Sequence, residues 1–150
     1  MKKSPLQYAL DLIAMRDRTV AEIRKKMKEK EFLPEDIEAT VQNLIDKKFL
    51  DDERFVENFI RSKQLGGKSG IFKIKFKLIN LGINKDLIEK YLNDDEEWQY
   101  NNARELAENW LEKKQSVEPA KRYGRLGNFL AARGFSLSVI KKVLNELLKS

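Results

Sequence analysis

The sequence contains no cysteine and no histidine. Without cysteine there are no disulfides and no thiolate metal sites. Without histidine the commonest general base and the commonest metal ligand are both missing. Ser-His-Asp and Cys-His mechanisms are therefore excluded, and only a carboxylate site for Mg²⁺ or Ca²⁺ stays open. Three prolines and seven glycines in 150 residues leave little room for long irregular loops. No apolar run approaches the ~20 residues of a transmembrane helix. The basic start, Met1-Lys2-Lys3-Ser4-Pro5, is followed by Asp11, Arg16 and Asp17 where a signal core would need apolar residues. A cytoplasmic protein is expected.

Charged residues are plentiful instead, at 36%, beside 41% hydrophobic residues. That apolar share is too large for disorder, so a helix-rich globular chain follows. The net charge of +6 favours a polyanionic partner: nucleic acid, an acidic surface or an acidic protein.

Helical spacing is visible from the start in Leu6, Leu10 and Ile13. Thr19-Val20-Ala21-Glu22 has the form of a capping box opening a second helix. Pro34 suits the first position of a third, with Ile37, Val41, Leu44 and Ile45 inward. Asp51-Asp52 offers an N-cap to a fourth, marked by Phe55, Phe59 and Ile60. After the break at Gly66-Gly67-Lys68-Ser69-Gly70, Ser69 is expected to cap a fifth helix, which Gly82 stops. Asn84 opens a sixth, ending near Asn93. A long seventh helix runs from about Glu96 to Lys114 and carries Trp98, Leu106 and Trp110. Pro119 opens the eighth, which ends at Gly134, and Ser136 caps the ninth.

One stretch resists this reading. Phe72-Lys73-Ile74-Lys75-Phe76-Lys77-Leu78 alternates as a strand does. No other segment resembles a partner strand, and a lone strand cannot satisfy its backbone. An internal repeat decides for helix. Ile23, Met27, Phe32, Ile37 and Val41 recur 51 residues later as Ile74, Leu78, Ile83, Ile88 and Leu92. They recur again, 52 residues further, as Leu126, Leu130, Phe135, Ile140 and Leu144. Two helices meet at a tight turn in each copy, and an Ile or Phe of that turn plugs the space between them. Units of about 50 residues are small for independent cores, so neighbours should stack into an array suited to binding. The alternative is a duplicated scaffold whose charge runs are merely solvated helix faces.

Leu50-Asp51-Asp52-Glu53-Arg54-Phe55, followed by Arg61, Gly70, Ile74, Leu78 and Gly82-Ile83, resembles the central signature of the RecX family. Thr19-Val20-Ala21-Glu22-Ile23 and Arg133-Gly134-Phe135 are similar to its first and third repeats. Two positions depart from that pattern: Lys73 where arginine is frequent and Val56 where alanine is. The resemblance implies an all-α fold of three tandem three-helix repeats forming an elongated, curved helical array, here at 5–49, 50–94 and 95–150. It implies a monomeric, non-enzymatic regulator without cofactor. Its partners would be the RecA recombinase filament and DNA, single-stranded or filament-bound, without sequence preference. Inhibition of RecA assembly, ATPase and strand exchange is the usual outcome the resemblance implies, while some members of the family act positively, in recombination, repair and the SOS response.

Charge is segregated along the chain. Arg61, Lys63, Lys68, Lys73, Lys75 and Lys77 occur with no acidic residue between them. Lys121, Arg122, Arg125 and Arg133 form a second basic stretch. Between them, residues 94–112 carry Asp94, Asp95, Glu96, Glu97, Glu105, Glu108 and Glu112 against a single Arg104. On a helix Lys73 and Lys77 share a face, about 40° apart. Arg61, Lys63, Lys68, Lys73, Lys77, Lys121, Arg122, Arg125 and Arg133 are therefore the candidate contacts to phosphate or to an acidic protein surface. The acidic segment is expected to avoid DNA or to meet basic protein.

Several sharper motifs weaken on inspection. Gly67-Lys68-Ser69 imitates the end of a P-loop, but Ser62 replaces the required first glycine and a helix precedes it. Asp51-Asp52 and Asp94-Asp95-Glu96-Glu97 both suit helix starts. Trp98 and Trp110 are expected as core or inter-repeat anchors rather than as platforms for stacking bases. A competing possibility is direct DNA binding, since the last two helices of each unit resemble a helix-turn-helix. Glu35, Asp36 and Glu38 at the third helix speak against it.

Overall fold

The structure is a computed structural model that describes residues 2–92 and 96–148. Those residues form nine helices and no strand: α1 (Pro5–Met15), α2 (Val20–Glu29), α3 (Pro34–Asp46), α4 (Asp52–Gly66), α5 (Ile71–Asn80), α6 (Lys85–Tyr91), α7 (Glu96–Lys113), α8 (Pro119–Ala132) and α9 (Leu137–Leu148). The alternating stretch is thus helical, within α5. Its alternation reflects two apolar faces. Ile71, Ile74 and Leu78 are buried, whereas Phe72 and Phe76 are 57% and 64% exposed.

The caps explain most of the boundaries. Thr19 accepts from the Glu22 N–H at 3.1 Å while Glu22 accepts from the Thr19 N–H at 3.1 Å, completing the capping box. Pro34 stands at the first turn of α3. Asp51 accepts from the Arg54 N–H at 3.0 Å and so caps α4. Asn84 accepts from the Asp86 N–H at 2.8 Å. Ser69 does not cap α5. The helix starts at Ile71, which puts Gly70 in the cap position. Asp94 and Asp95, expected at the start of α7, lie outside the described residues.

The fifteen repeat positions are buried except Phe32, which is half-buried against Tyr8, ring centroids 5.4 Å apart. The turns between the second and third helices are alike in all three copies. The N–H of Phe32, Ile83 and Phe135 reaches back five residues to Met27, Leu78 and Leu130, at 3.2, 3.1 and 3.3 Å. This is the Schellman closure, which needs a left-handed residue just before it. That residue is Glu31 (φ 67), Gly82 (φ 82) and Gly134 (φ 89).

The chain divides into two compact units, Met1–Asn58 with Leu78–Ile88, and Phe59–Lys77 with Glu89–Ser150. Each unit contains one copy of the same joint. In the first, the start of α2 meets the turn after α5. The Thr19 hydroxyl donates to the Leu81 carbonyl at 2.6 Å, and a Cβ on Gly82 would fall 2.2 Å from the Ala21 Cβ. In the second, the start of α5 meets the turn after α8. Gly70 N–H donates to the Arg133 carbonyl at 2.8 Å and Phe72 N–H to the Gly134 carbonyl at 2.9 Å. A Cβ on Gly134 would lie 2.4 Å from the Lys73 nitrogen, and one on Gly70 2.3 Å from the Phe135 nitrogen. The early N–H groups of α5 thus find partners in carbonyls at the end of α8.

The core of the first unit gathers Ala9, Ile23, Met27, Ile37, Val41, Leu44 and Leu50. Ile45, expected inward, is 37% exposed, and Thr40 is buried in its place. In the second unit α7 turns Gln99, Ala103 and Ala107 fully inward, while Trp98, Leu106 and Trp110 are half-buried at its flanks. Small residues there admit close packing against Leu126, Leu130, Phe135, Val143 and Leu144. Gln99 accepts from the Ile71 and Ser136 N–H groups at 3.2 and 2.9 Å, joining the starts of α5 and α9. No described helix is long and apolar enough to cross a membrane.

Candidate partner-binding surface

The nine expected basic contacts do not form one site. Lys63 on α4 and Lys73 and Lys77 on α5 come together in the second unit. Burial lowers the Lys63 ammonium below the usual lysine range, and the neighbouring charges of Lys77 and Lys73 lower it further. Lys63 also lies over the Phe59 ring, 5.4 Å from its centroid. None of the three is ion-paired among the described residues. A cluster of mutually repelling amines is a poor solution for stability and a good one for an anion, whose arrival removes the repulsion. Phe72 and Phe76 stand exposed, one turn apart, on the helix that carries Lys73 and Lys77.

The remaining residues are dispersed. Arg61 is exposed on α4. On α8, Lys121 lies 3.7 Å from Glu118, and Arg125 is exposed. Arg122 donates from Nε to the Val117 carbonyl at 3.0 Å and from Nη2 to the Gln115 carbonyl at 3.1 Å, so it braces the α7–α8 turn. Lys68 and Arg133 line one cavity together with Lys113 and Lys114. Those last two lysines escape a reading by charge run because they follow the acidic stretch directly. Only the fold carries the end of α7 to the loop holding Lys68. In that acidic stretch, Arg104 bridges Glu108 at 2.9 Å and Glu146 at 3.0 Å. No group of three or more acidic residues among those described is placed to hold a metal ion.

Three family models match in order along the chain: the RecX first three-helix domain over residues 6–44, the second over 51–92 and the third over 97–144. A regulatory protein RecX from Prosthecochloris aestuarii is 30% identical over 97% of this chain and 95% of its own length. The chain belongs to the RecX family. Another regulatory protein RecX, from Clostridium acetobutylicum, is 34% identical over 93% of this chain, which spans 66% of that longer relative. A crystal structure of RecX from Lactobacillus salivarius has the same fold, with a TM-score of 0.84 at 22% identity over 95% of this chain and 94% of that one. RecX proteins are non-enzymatic regulators, in keeping with a chain that offers no histidine or cysteine for catalysis.

Proposed function

We propose that this RecX-family chain binds the RecA filament on DNA and restrains its assembly, ATP hydrolysis and strand exchange. The Lys63–Lys73–Lys77 cluster carries the reading. It holds positive charge without a counter-charge among the described residues, beside two exposed phenylalanines on the same helix. Cations with an apolar neighbour suit an acidic protein surface or a phosphate-lined groove. The contacts to DNA are then phosphate contacts, independent of sequence and sensitive to salt.

The test is RecA's single-stranded-DNA-dependent ATPase, measured with and without this protein. Hydrolysis should fall as the protein is titrated in, and filaments should shorten. The reading is wrong if both are unchanged at saturating protein. Lys73→Glu with Lys77→Glu should weaken filament binding about tenfold or more while leaving the helical circular-dichroism signal intact, since each charge contact contributes roughly 1–3 kcal/mol where it is made.

A further inference from the structure

We infer that the cavity lined by Lys68, Lys113, Lys114, Arg133, Trp110 and Phe129 is a pocket for one nucleotide of a single-stranded nucleic acid, base inward and phosphates at the rim. This inference is independent of the filament reading and uses none of Lys63, Lys73 or Lys77.

The cavity is an open recess of about 380 Å³, within the range of small-ligand sites of ~300–1,000 Å³. Four cations stand around it and no carboxylate lines it. None of the four is ion-paired among the described residues. They come from three places in the chain: the loop after α4, the end of α7 and the end of α8. The loop is fixed at both ends. Asn102 donates to the Gln64 carbonyl at 2.9 Å, and Gly70 N–H to the Arg133 carbonyl at 2.8 Å. Lys68 thus lines the same cavity as Arg133, whose guanidinium lies 5.0 Å from the Phe129 ring centroid. Trp110 and Phe129 also line the cavity and are half-buried, whereas Lys68, Lys113 and Lys114 are exposed.

Positive rim and aromatic floor together distinguish the ligand. Phosphate alone would need no rings, and a duplex cannot place a base into a recess because its bases are stacked. A single strand offers both a phosphate backbone and a free base face, and aromatic stacking tolerates any sequence. An acidic peptide would satisfy the rim but leave the rings uncovered. A second cationic, aromatic cavity, around Lys2, Lys3, Tyr8, Lys30 and Phe32, is weaker. Its Lys3 is already paired with Asp11 at 2.5 Å.

The experiment uses the full chain carrying Trp98→Phe, which leaves Trp110 as the sole tryptophan. The Trp98 Nε1 is buried without a hydrogen-bond partner, so Phe loses none there. A (dT)15 oligomer should quench Trp110. An abasic oligomer of equal length should quench it much less, and polyglutamate not at all. In this background Lys113→Gln with Lys114→Gln should weaken the quenching titration about tenfold and flatten its salt dependence. Trp110→Leu, read by anisotropy of labelled (dT)15, should weaken binding at least fivefold while hardly changing abasic-oligomer binding. The inference is overturned if (dT)15 fails to quench, if the abasic oligomer or polyglutamate quenches equally, or if Lys113→Gln with Lys114→Gln leaves the titration unchanged.

Discussion

Asp52 sits in the first turn of α4, where a carboxylate suits the positive end of the helix, yet its side chain serves another helix. It accepts from the Val20 N–H at 2.9 Å, at the start of α2. Burial raises its carboxyl above the usual carboxylate range, the Val20 hydrogen bond opposes that, and the nearby charges of Asp51 and Glu22 add to it while Arg24 works against them. The sign for stability follows. In the window above roughly pH 4 the folded state holds more of this proton than the unfolded state, so ionisation of Asp52 costs stability as pH rises through its raised pKa. Asp52→Asn keeps an acceptor for Val20 and removes the charge. It should match or exceed the parent in stability at pH 7, with the difference vanishing below about pH 4. Asp52→Ala should lose about 1 kcal/mol, the usual cost of an unmade cap. Urea unfolding between pH 3.5 and 7 reads both. A parent that gains on Asp52→Asn as pH rises would show the hydrogen bond outweighing burial. In sequence, Asp51-Asp52 is two candidates for one cap. That the second reaches across to α2 is a tertiary fact with no local signature.

At the scale of elements, the three Schellman turns separate two reasons for glycine. All three need a left-handed residue, and Gly82 and Gly134 also have another helix start against them, whereas Glu31 is exposed. Exposed, Glu31 tolerates a side chain at a conformational cost of about 1 kcal/mol. Glu31→Gly should therefore be neutral to stabilising by about 1 kcal/mol, the loss of strain being partly offset by greater chain entropy in the unfolded state. Gly134→Ala should lose about 2–3 kcal/mol, because its Cβ meets the Lys73 backbone as well as the forbidden φ. Thermal unfolding of the pair decides it, and equal losses would mean that the docking contributes nothing. The repeat register and helix count were legible in the sequence because five apolar positions recur in phase, and that phase overrode the strand-like alternation of α5. The inward face of α7 was not. Its bulky Trp98, Leu106 and Trp110 outweigh Ala103 and Ala107 in any hydrophobic pattern, and no pattern marks Gln99 as buried. Ile45 misled for the same reason: periodicity places it beside Leu44, but the fold covers only one of the two.

For the whole molecule, segregation of charge was readable along the chain, but its grouping was not. The fold sorts the basic residues into a repelling triad on α4 and α5, a cavity fed by α4, α7 and α8, and side chains such as Arg122 that brace a turn. A repelling triad has a consequence that a structural role for these lysines would not. Lys73 and Lys77, one turn apart on α5, oppose each other and Lys63, and such pairs destabilise a helix by about 0.2–0.5 kcal/mol. Lys77→Gln should raise stability by about that amount. The gain should shrink in high salt, where the repulsion is already screened. The same substitution should move the Lys63 ammonium back towards the ordinary lysine range, readable by nitrogen NMR of its Nζ, because the Lys77 charge contributes to the present shift. It should also weaken binding to the polyanionic partner. Stability rising while binding falls is the signature of charge held for a partner rather than for the fold. If Lys77→Gln instead lowers the melting temperature, or leaves Lys63 unmoved, the triad is packing and the partner surface lies elsewhere.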